Sequence, residues 1–475
     1  DTRLRLELPL TEPAKWSLAG SSDLAGLALT LPEPFAKTEA AEWPVSFSWT
    51  PAGDKHRELR IALEKRADID MHFEVRKEGL APAGGTLALG TTLKPRTQGF
   101  DVAVAIPNID LDAWSRLMRA SGSVASASKE ELLKTLEGDF LSQLSSATLK
   151  TEALRWSGET FDNIDSTLRH VDKIWHLRLQ SEEAAGQVEF REPPSADGQP
   201  TLSVKLLRLH LPAAAESAIG EDIARAPRNW LPNLDVVVDD LRIGKRNIGK
   251  VEINARNPIE NGRETWQIDH FAVRNRGGTL LGTGGWQSGG PNDPTGRSAV
   301  SLKADVRSVG EVLQSLNVVD VIHDAPGSLT LKADWKGMPV DFNFETLNGE
   351  IVGRTGAGQL IQIEPGAGRL LSLLSMQHLL RRLTLDFRDV AGRGFGFDSL
   401  SVNSTIANGM LHTEKSSMIG SAATVLIGGD VDLVNEVLDL KAIVLPSINA
   451  QGASLALAIA NPAVGIGTLL AQFVL

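Results

Sequence analysis

Several groups of residues in this chain have the types or spacing that reactive sites use, and each meets a specific obstacle. Gly244-Lys245-Arg246-Asn247-Ile248-Gly249-Lys250 has the spacing of a phosphate-cradling loop. Such a loop needs Ser or Thr next, to hold Mg²⁺, and a helix after it; here Val251 follows and opens an alternating pattern. A hairpin turn is the better reading. Asn108, Asp110 and Asp112 alternate like calcium ligands, but the turn position of such a loop would be Ala113 and its bidentate position Arg119. Helix capping accounts for these acids. The nine histidines are scattered, with no His-x-x-x-His pair to grip zinc and no Gly-x-Ser-x-Gly elbow for a nucleophile. Asp239-Asp240 falls at a strand end, where solvated turns usually carry such pairs. No catalytic residue, metal or cofactor is assigned. Glycosidase carboxylates leave no local signature, so a polysaccharide-active β enzyme stands as a third reading.

The elements around these residues are far more regular than the reactive groups. Apolar residues alternate with polar ones at Leu4/Leu6/Leu8, Trp43/Val45/Phe47/Trp49, Leu59/Ile61/Leu63 and Met71/Phe73/Val75. The pattern continues at Phe100/Val102/Val104/Ile106, Trp175/Leu177/Leu179, Val251/Ile253/Ala255 and Leu329/Leu331/Ala333/Trp335. Period two is the signature of a strand with one dry and one wet face. Roughly two dozen such segments, parted by Gly, Asn, Asp and Pro turns, predict a mainly β chain. Helical spacing is confined to Leu111–Met118, Lys129–Leu144, Ala213–Ala226, Val309–Leu316, Arg369–Leu380 and the end of the chain. These few helices cover only part of the apolar face. A second sheet, a barrel or an open trough could shield the remainder.

Two blocks repeat. Leu154-Arg155-Trp156-Ser157-Gly158 leads through Trp175 to Val188–Phe190, and Leu241-Arg242-Ile243-Gly244 leads through Trp266 to Leu280–Trp286. Each reads strand, Gly turn, strand, Trp-led strand, closing strand. Helix openers recur too: the strand ends at Asp110 and at Asp305 each offer an acid for N-capping. Repetition favours an array of β modules over one compact core. The expected modules are 1–120, 121–230 with a helical insert, 231–336, 337–445 and an apolar tail at 446–475.

Composition narrows the function classes. The 475 residues carry a net charge of −11, spread along the chain, which argues against a nucleic-acid binder. Cysteine is absent, so disulfides, thiolate metal sites and cysteine nucleophiles are excluded together. The sequence opens at Asp1 without Met or a signal peptide and is expected to be a segment of a longer protein. From Ala442 to Leu475 there is no charged residue. Pro462 and many small residues weaken a spanning helix there. Leu455, Leu457, Ile459, Leu469, Leu470 and Phe473 are the candidates for contact with a membrane or partner.

The segment Glu364–Val390 carries the most information. A Pro-Gly turn at 365–366 precedes a wide apolar helix face from Leu370 to Leu380, a basic pair, and the alternating Leu383, Leu385 and Phe387. Near the start stands Gly26-Leu27-Ala28-Leu29-Thr30-Leu31-Pro32-Glu33-Pro34-Phe35-Ala36-Lys37. Later come Leu231–Asp235, Leu241–Gly244, Ala333–Gly337, Leu347-Asn348-Gly349, Phe395–Ser399 and Asn408-Gly409. Together, in this order, they resemble the AsmA-like proteins of the Gram-negative envelope, most closely their YhdP branch. The resemblance implies an elongated, curled antiparallel β-sheet of repeated units with an apolar groove and a few short amphipathic helices. It implies a non-enzymatic, bridge-like carrier that moves phospholipid across the periplasm and supports outer-membrane homeostasis and barrier function. The branch's inner-membrane helix has no counterpart in this sequence; it would anchor the full-length protein. Phospholipids, both membranes and envelope proteins are the implied partners.

Under this reading the groove lining comprises Phe100, Val102, Val104, Ile106, Trp175, Leu177, Leu179, Val251, Ile253, Leu329, Leu331, Leu383, Leu385 and Phe387. The alternative is an outer-membrane assembly factor in which the same faces form a closed core. The physics of a carrier needs no reactive group, because a dry path removes the cost of about 0.8 kcal/mol for each acyl CH₂ exposed to water.

Overall fold

The computed structural model describes residues 2–10, 15–76, 79–121, 143–156, 158–195, 198–213, 232–260, 263–289, 295–319, 321–339, 341–361, 395–421 and 423–446. The chain divides into two units, Asp1–Ala215 and Glu216–Leu475. Both are built from strands, as the alternating sequence predicts, and among the described residues helices are few and short.

The first unit opens with an antiparallel meander. It comprises β1 (Thr2–Glu7), β2 (Ser17–Ser22), β3 (Val45–Pro51), β4 (His56–Leu63), β5 (Ala67–Arg76) and β6 (Gly79–Leu89). Then β7 (Gly99–Ala105) runs parallel to β6, and β9 (Leu144–Trp156) runs parallel to β7. The short β8 (Asn108–Asp110) continues the line of β7 along β9. Antiparallel pairing resumes through β10 (Glu159–Val171), β11 (Ile174–Gln180), β12 (Ala184–Arg191) and β13 (Thr201–Leu211). The sheet is therefore mixed, where the resemblance implies an antiparallel one. Alternation reports which face a residue takes and is blind to strand direction.

A parallel pair needs a connection that crosses the sheet. For β6 to β7 that connection is residues 90–98, and a Cβ added at Gly84 would lie 2.6 Å from the Gln98 backbone nitrogen. The loop therefore passes over the face that Gly84 shares with His72, its cross-strand partner. For β8 to β9 the crossing starts with α1 (Leu111–Ser121), capped by Asp110, whose Oδ1 accepts from the Ala113 N–H at 2.7 Å. The expected capping role of Asp110 is thus met. Leu144, expected to close a helix, instead opens β9.

In the second unit β14 (Asn233–Ile243), β15 (Arg246–Arg256), β17 (Arg263–Asn275), β18 (Gly278–Gln287), β19 (Arg297–Val306) and β21 (Gly327–Lys336) pair in turn. The sheet continues through β22 (Asn348–Thr355), β25 (Ser399–Ala407), β26 (Met410–Ile419), β27 (Ala423–Asp432) and β28 (Val437–Pro446). The short β16 (Ile259–Glu260) pairs only with β17. A small separate sheet joins β20 (Ile322–Asp324), β23 (Gly358–Leu360) and β24 (Phe395–Phe397). One helix, α2 (Val309–Ser315), is capped by Ser308 accepting from the Glu311 N–H. That corrects the expectation for Asp305, which lies inside β19.

The two repeated blocks fold alike, as β9–β10–β11–β12 and as β14–β15–β17–β18. Gly244 and Lys245 make the predicted two-residue hairpin turn, with Ile243 opposite Arg246 and Gly244 at φ 57°. Among the described residues neither sheet closes on itself: β1 pairs with β2 alone, and β14 and β28 do not meet. Bulges at His72/Phe73, Ala185/Gly186 and Asn254/Ala255 bend individual strands and raise their twist. The segment Glu364–Val390 lies outside the described residues.

Candidate functional site

Cross-strand partners share a face, so the strand registers trace what each face is made of. In the first unit one line starts at Leu4 and passes Gly20, Phe47, Ile61 and Ile69. It crosses the parallel insertion at Leu87 and Val102, then runs through Ala147, Leu168, Leu177 and Val188 to Val204. Twelve strands contribute, and not one polar side chain interrupts the line. A parallel line holds Trp49, Leu59, Met71 and, across β6, Phe100 and Leu144. The opposite face reads Arg60, Asp70, Thr86, Asp101, Ser146, Arg169, His176 and Glu189 in the same way.

The second unit repeats the arrangement. Val236, Ile253, Phe271, Gly282, Leu302, Leu331 and Ile351 are successive partners from β14 to β22. Beyond Ile351 this line turns polar at Ser404 and Thr413, both buried, where Thr413 Oγ1 and Ser416 Oγ share a hydrogen bond of 2.7 Å. A neighbouring line stays apolar through Val300, Ala333, Gly349, Ile406, Leu411 and Val431. Gly282 admits the Leu302 side chain, which would lie 2.5 Å from any added Cβ.

These faces are half-covered rather than sealed. Ile61, Ile69, Leu87, Val102, Leu177, Val188, Ile253 and Leu331 are each partly exposed, while Leu4 and Leu329 are 70% and 40% exposed. Among the described residues the bulkiest side chain with under 2% exposure is Ser298. A closed core of sheet on sheet would hide its large aliphatic side chains completely.

One rim of the second unit's apolar face is finished by tryptophans. Trp266, Trp286, Ser298 and Trp335 form a single cross-strand row. Each indole N–H donates to a loop carbonyl, at Pro232 (3.1 Å), Thr295 (2.9 Å) and Met338 (3.1 Å). Ser298 Oγ donates to the Gly337 carbonyl at 2.7 Å. Trp335 is the centre of a small core with Ala333, Leu347 and Ile406. The Leu347-Asn348-Gly349 and Asn408-Gly409 elements stitch that end together. Asn348 Oδ1 accepts from the Asn408 N–H at 3.1 Å, and the Gly409 N–H donates to the Leu347 carbonyl at 2.9 Å. In the first unit the Gly26–Lys37 element is closed in the same manner. Buried Lys37 donates to the Leu27 and Thr38 carbonyls at 2.8 and 3.1 Å.

Few polar atoms enter the apolar face of the first unit. Trp49 sits between Trp16 and Phe73, and its indole N–H is buried with no acceptor among the described residues. His170 stacks on Trp175 at 4.1 Å, with Glu192 accepting from the Trp175 indole at 2.9 Å. Sequence reasoning did not single out Trp49 or His170; both sit in the alternating pattern as ordinary members.

The charged faces hold ion pairs across strands. Glu252 meets Arg274 at 2.5 Å and Lys250 at 3.2 Å, and the Arg274 guanidinium above all holds its carboxyl at about 2, against an ordinary value near 4.5. A carboxylate whose value is lowered on folding adds stability above its unfolded value and loses it as pH falls. Urea midpoints should therefore drop between about pH 4.5 and 2 in the wild type, and less steeply in Glu252→Gln, the two curves converging near pH 2. Parallel curves would show that the pair adds nothing. In the first unit burial, with the Glu58 charge beside it, pushes the Asp70 carboxyl up.

Of the residues expected to line a groove, Phe100, Val102 and Val104 stand on β7, with Ile106 just past its end. Trp175, Leu177 and Leu179 stand on β11, Val251 and Ile253 on β15, Leu329 and Leu331 on β21. Phe100 and Val251 are buried, at 2% and 6% exposure. Leu383, Leu385, Phe387, Leu455, Leu457, Ile459, Leu469, Leu470 and Phe473 lie outside the described residues. Among the described residues no helix is long and apolar enough to cross a membrane.

Among the described residues each unit is thus an open β-sheet with a half-exposed apolar face and a charged reverse. The chain belongs to the YhdP family, whose sequence model, described as "YhdP protein", matches residues 1–475. It is similar to the intermembrane phospholipid transporter YhdP of Escherichia coli (strain K12), with 25% identity over 492 aligned residues. The alignment takes in 100% of this chain and 36% of that protein, so the chain spans about a third of its relative's length. No solved structure matches.

Proposed function

We propose that this chain, without enzymatic chemistry, carries phospholipid acyl chains along the apolar faces of its sheets, as one part of lipid movement between the membranes of a Gram-negative envelope. The observation that carries this reading is the line from Leu4 to Val204, apolar at every strand and half-exposed along most of its length. Each acyl CH₂ kept off water along such a line is worth about 0.8 kcal/mol, so a lipid can pass from strand to strand with little change in free energy. Val102, Val104 and Ile106, with Trp175, Leu177 and Leu179, form the path of the first unit, and the buried Phe100 supports it from beneath. Ile253, Leu329 and Leu331 belong to that of the second, with Val251 buried beside them. The headgroup stays in water at the open side. Location in the periplasm, an inner-membrane anchor in the full-length protein, and service to the outer-membrane barrier complete the proposal.

The test is native mass spectrometry, with lipid extraction, of the chain purified from bacteria without harsh detergent. Several phospholipids per chain are expected. A folded, lipid-free chain would instead favour a closed core and a role in assembly through protein partners.

A further inference from the structure

The charged face of the first unit holds a second arrangement, independent of the apolar path. Glu58 on β4 is the cross-strand partner of His72 on β5, and Arg60 and Asp70 are the next pair on the same face. Asp70 is 4% exposed, and the Glu58 and His72 side chains are 17% and 12% exposed. One ligating atom of each, from Glu58, Asp70 and His72, lies within 4.8 Å of the other two. Glu58 Oε1, Asp70 Oδ1 and His72 Nε2 are all buried, and none of the three has a hydrogen-bond partner.

Such burial is costly unless something satisfies the atoms. Arg60 does so only in part. Its Nε donates to Asp70 Oδ2 at 2.9 Å, and its Nη2 makes an ion pair with Glu58 Oε1 itself, off the geometry of a hydrogen bond, so that Asp70 Oδ1 and His72 Nε2 are the atoms it leaves unserved. His72 Nε2 lies 2.9 Å from Asp70 Oδ1, yet off the axis a hydrogen bond requires. A ring nitrogen and a carboxylate oxygen at that separation are close to adjacent ligands of one metal ion, whose bonds of about 2.1 Å set neighbours about 3.0 Å apart at right angles and about 3.4 Å apart in a tetrahedron. Two carboxylates against one guanidinium also leave the cluster a negative charge when His72 is neutral. The loop of residues 90–98 passes over the same face one strand away, at Gly84, the cross-strand partner of His72.

We propose that Glu58, Asp70 and His72 bind one divalent transition-metal ion of the zinc class. An imidazole with two carboxylates suits zinc and its neighbours, whereas calcium and magnesium favour all-oxygen shells. The ion would tie β4 to β5. His412 also has two carboxylate neighbours, but Asp430 approaches its Nδ1 and Glu414 its Nε2, so those three cannot converge on one ion.

The experiment is calorimetric titration of the chelator-treated full chain with Zn²⁺, repeated with Co²⁺ to read its absorption spectrum. One equivalent should bind, and His72→Gln and Glu58→Gln should each weaken binding about tenfold or more. His412→Gln should leave it unchanged. Zinc should also raise the melting temperature of the wild type and of His412→Gln, but not of the two ligand variants. Absence of a saturable equivalent, or binding that both ligand variants retain, would overturn the site. Should His72→Gln not fold, Glu58→Gln decides, since the amide keeps the size and shape of the carboxylate it replaces.

Discussion

Replacing Leu329 by glutamate leaves the chain folded and takes away its lipid. Leu329 is 40% exposed, so little native packing depends on it and the melting temperature should move by no more than about 2 °C. Its position makes it sensitive to function all the same. It stands between Ala304 and Gly353 on the apolar face and two residues from Leu331. A lipid crossing β21 must strip water from the new carboxylate, at a cost of several kcal/mol, or lift its acyl chain off the sheet at about 0.8 kcal/mol per CH₂. Either penalty lowers lipid occupancy at least about tenfold, the equivalent of about 1.4 kcal/mol. Thr330→Glu is the matched control. It adds the same charge one residue away, on the charged face opposite Lys303, and should keep wild-type lipid. Lipid content and thermal melting of the two variants decide the matter. Wild-type lipid in Leu329→Glu would mean that the path does not run over β21.

The second large effect is on stability. Trp335→Ala should destabilise the second unit by about 3–5 kcal/mol, the usual cost of emptying a buried tryptophan site. Trp335 is 4% exposed and packs with Ala333, Leu347 and Ile406. Phe342 meets it edge-on at 5.0 Å, and Phe344 continues the stack at 4.8 Å from Phe342. Trp335→Phe retains much of the ring packing but drops the donation to the Met338 carbonyl, which costs about 1 kcal/mol more than packing alone. Denaturant midpoints measure both. A cost under 1 kcal/mol for Trp335→Ala would show that this cluster does not close the rim.

Much of this architecture was legible because period-two alternation is a local property. Residues such as Leu59/Ile61/Leu63 and Val251/Ile253 carry their face assignment within a few positions. The Gly244 hairpin and the Asp110 cap were legible for the same reason, each being set by three or four neighbouring residues. Direction and register were not. The parallel run of β6, β7 and β9 depends on where residues 90–98 cross, and alternation reads the same either way. Ser308 outcompetes Asp305 as a cap because the strand runs on to Val306, a boundary that apolar spacing places only within a residue or two.

The Glu58–Asp70–His72 cluster was hidden by its dispersal over two strands. One signal was present: Glu58 with His72, and Arg60 with Asp70, lie equidistant from the turn at residues 64–66, so a correct hairpin register brings them together. The tryptophan rim was legible as residues and not as a row. Trp266, Trp286 and Trp335 are far apart in sequence, and only the register across β17 to β21 aligns them.

The most direct measurement of the central claim is photo-crosslinking in living cells from a benzophenone amino acid placed on one face or the other. Leu177 and Ile253 lie on the apolar lines, and Arg178 and Asn254, one residue on, lie on the charged faces. Lipid moving along the apolar faces predicts phospholipid adducts at Leu177 and Ile253 and none at Arg178 or Asn254. Equal adducts on both faces, or none at Leu177 and Ile253, would contradict it.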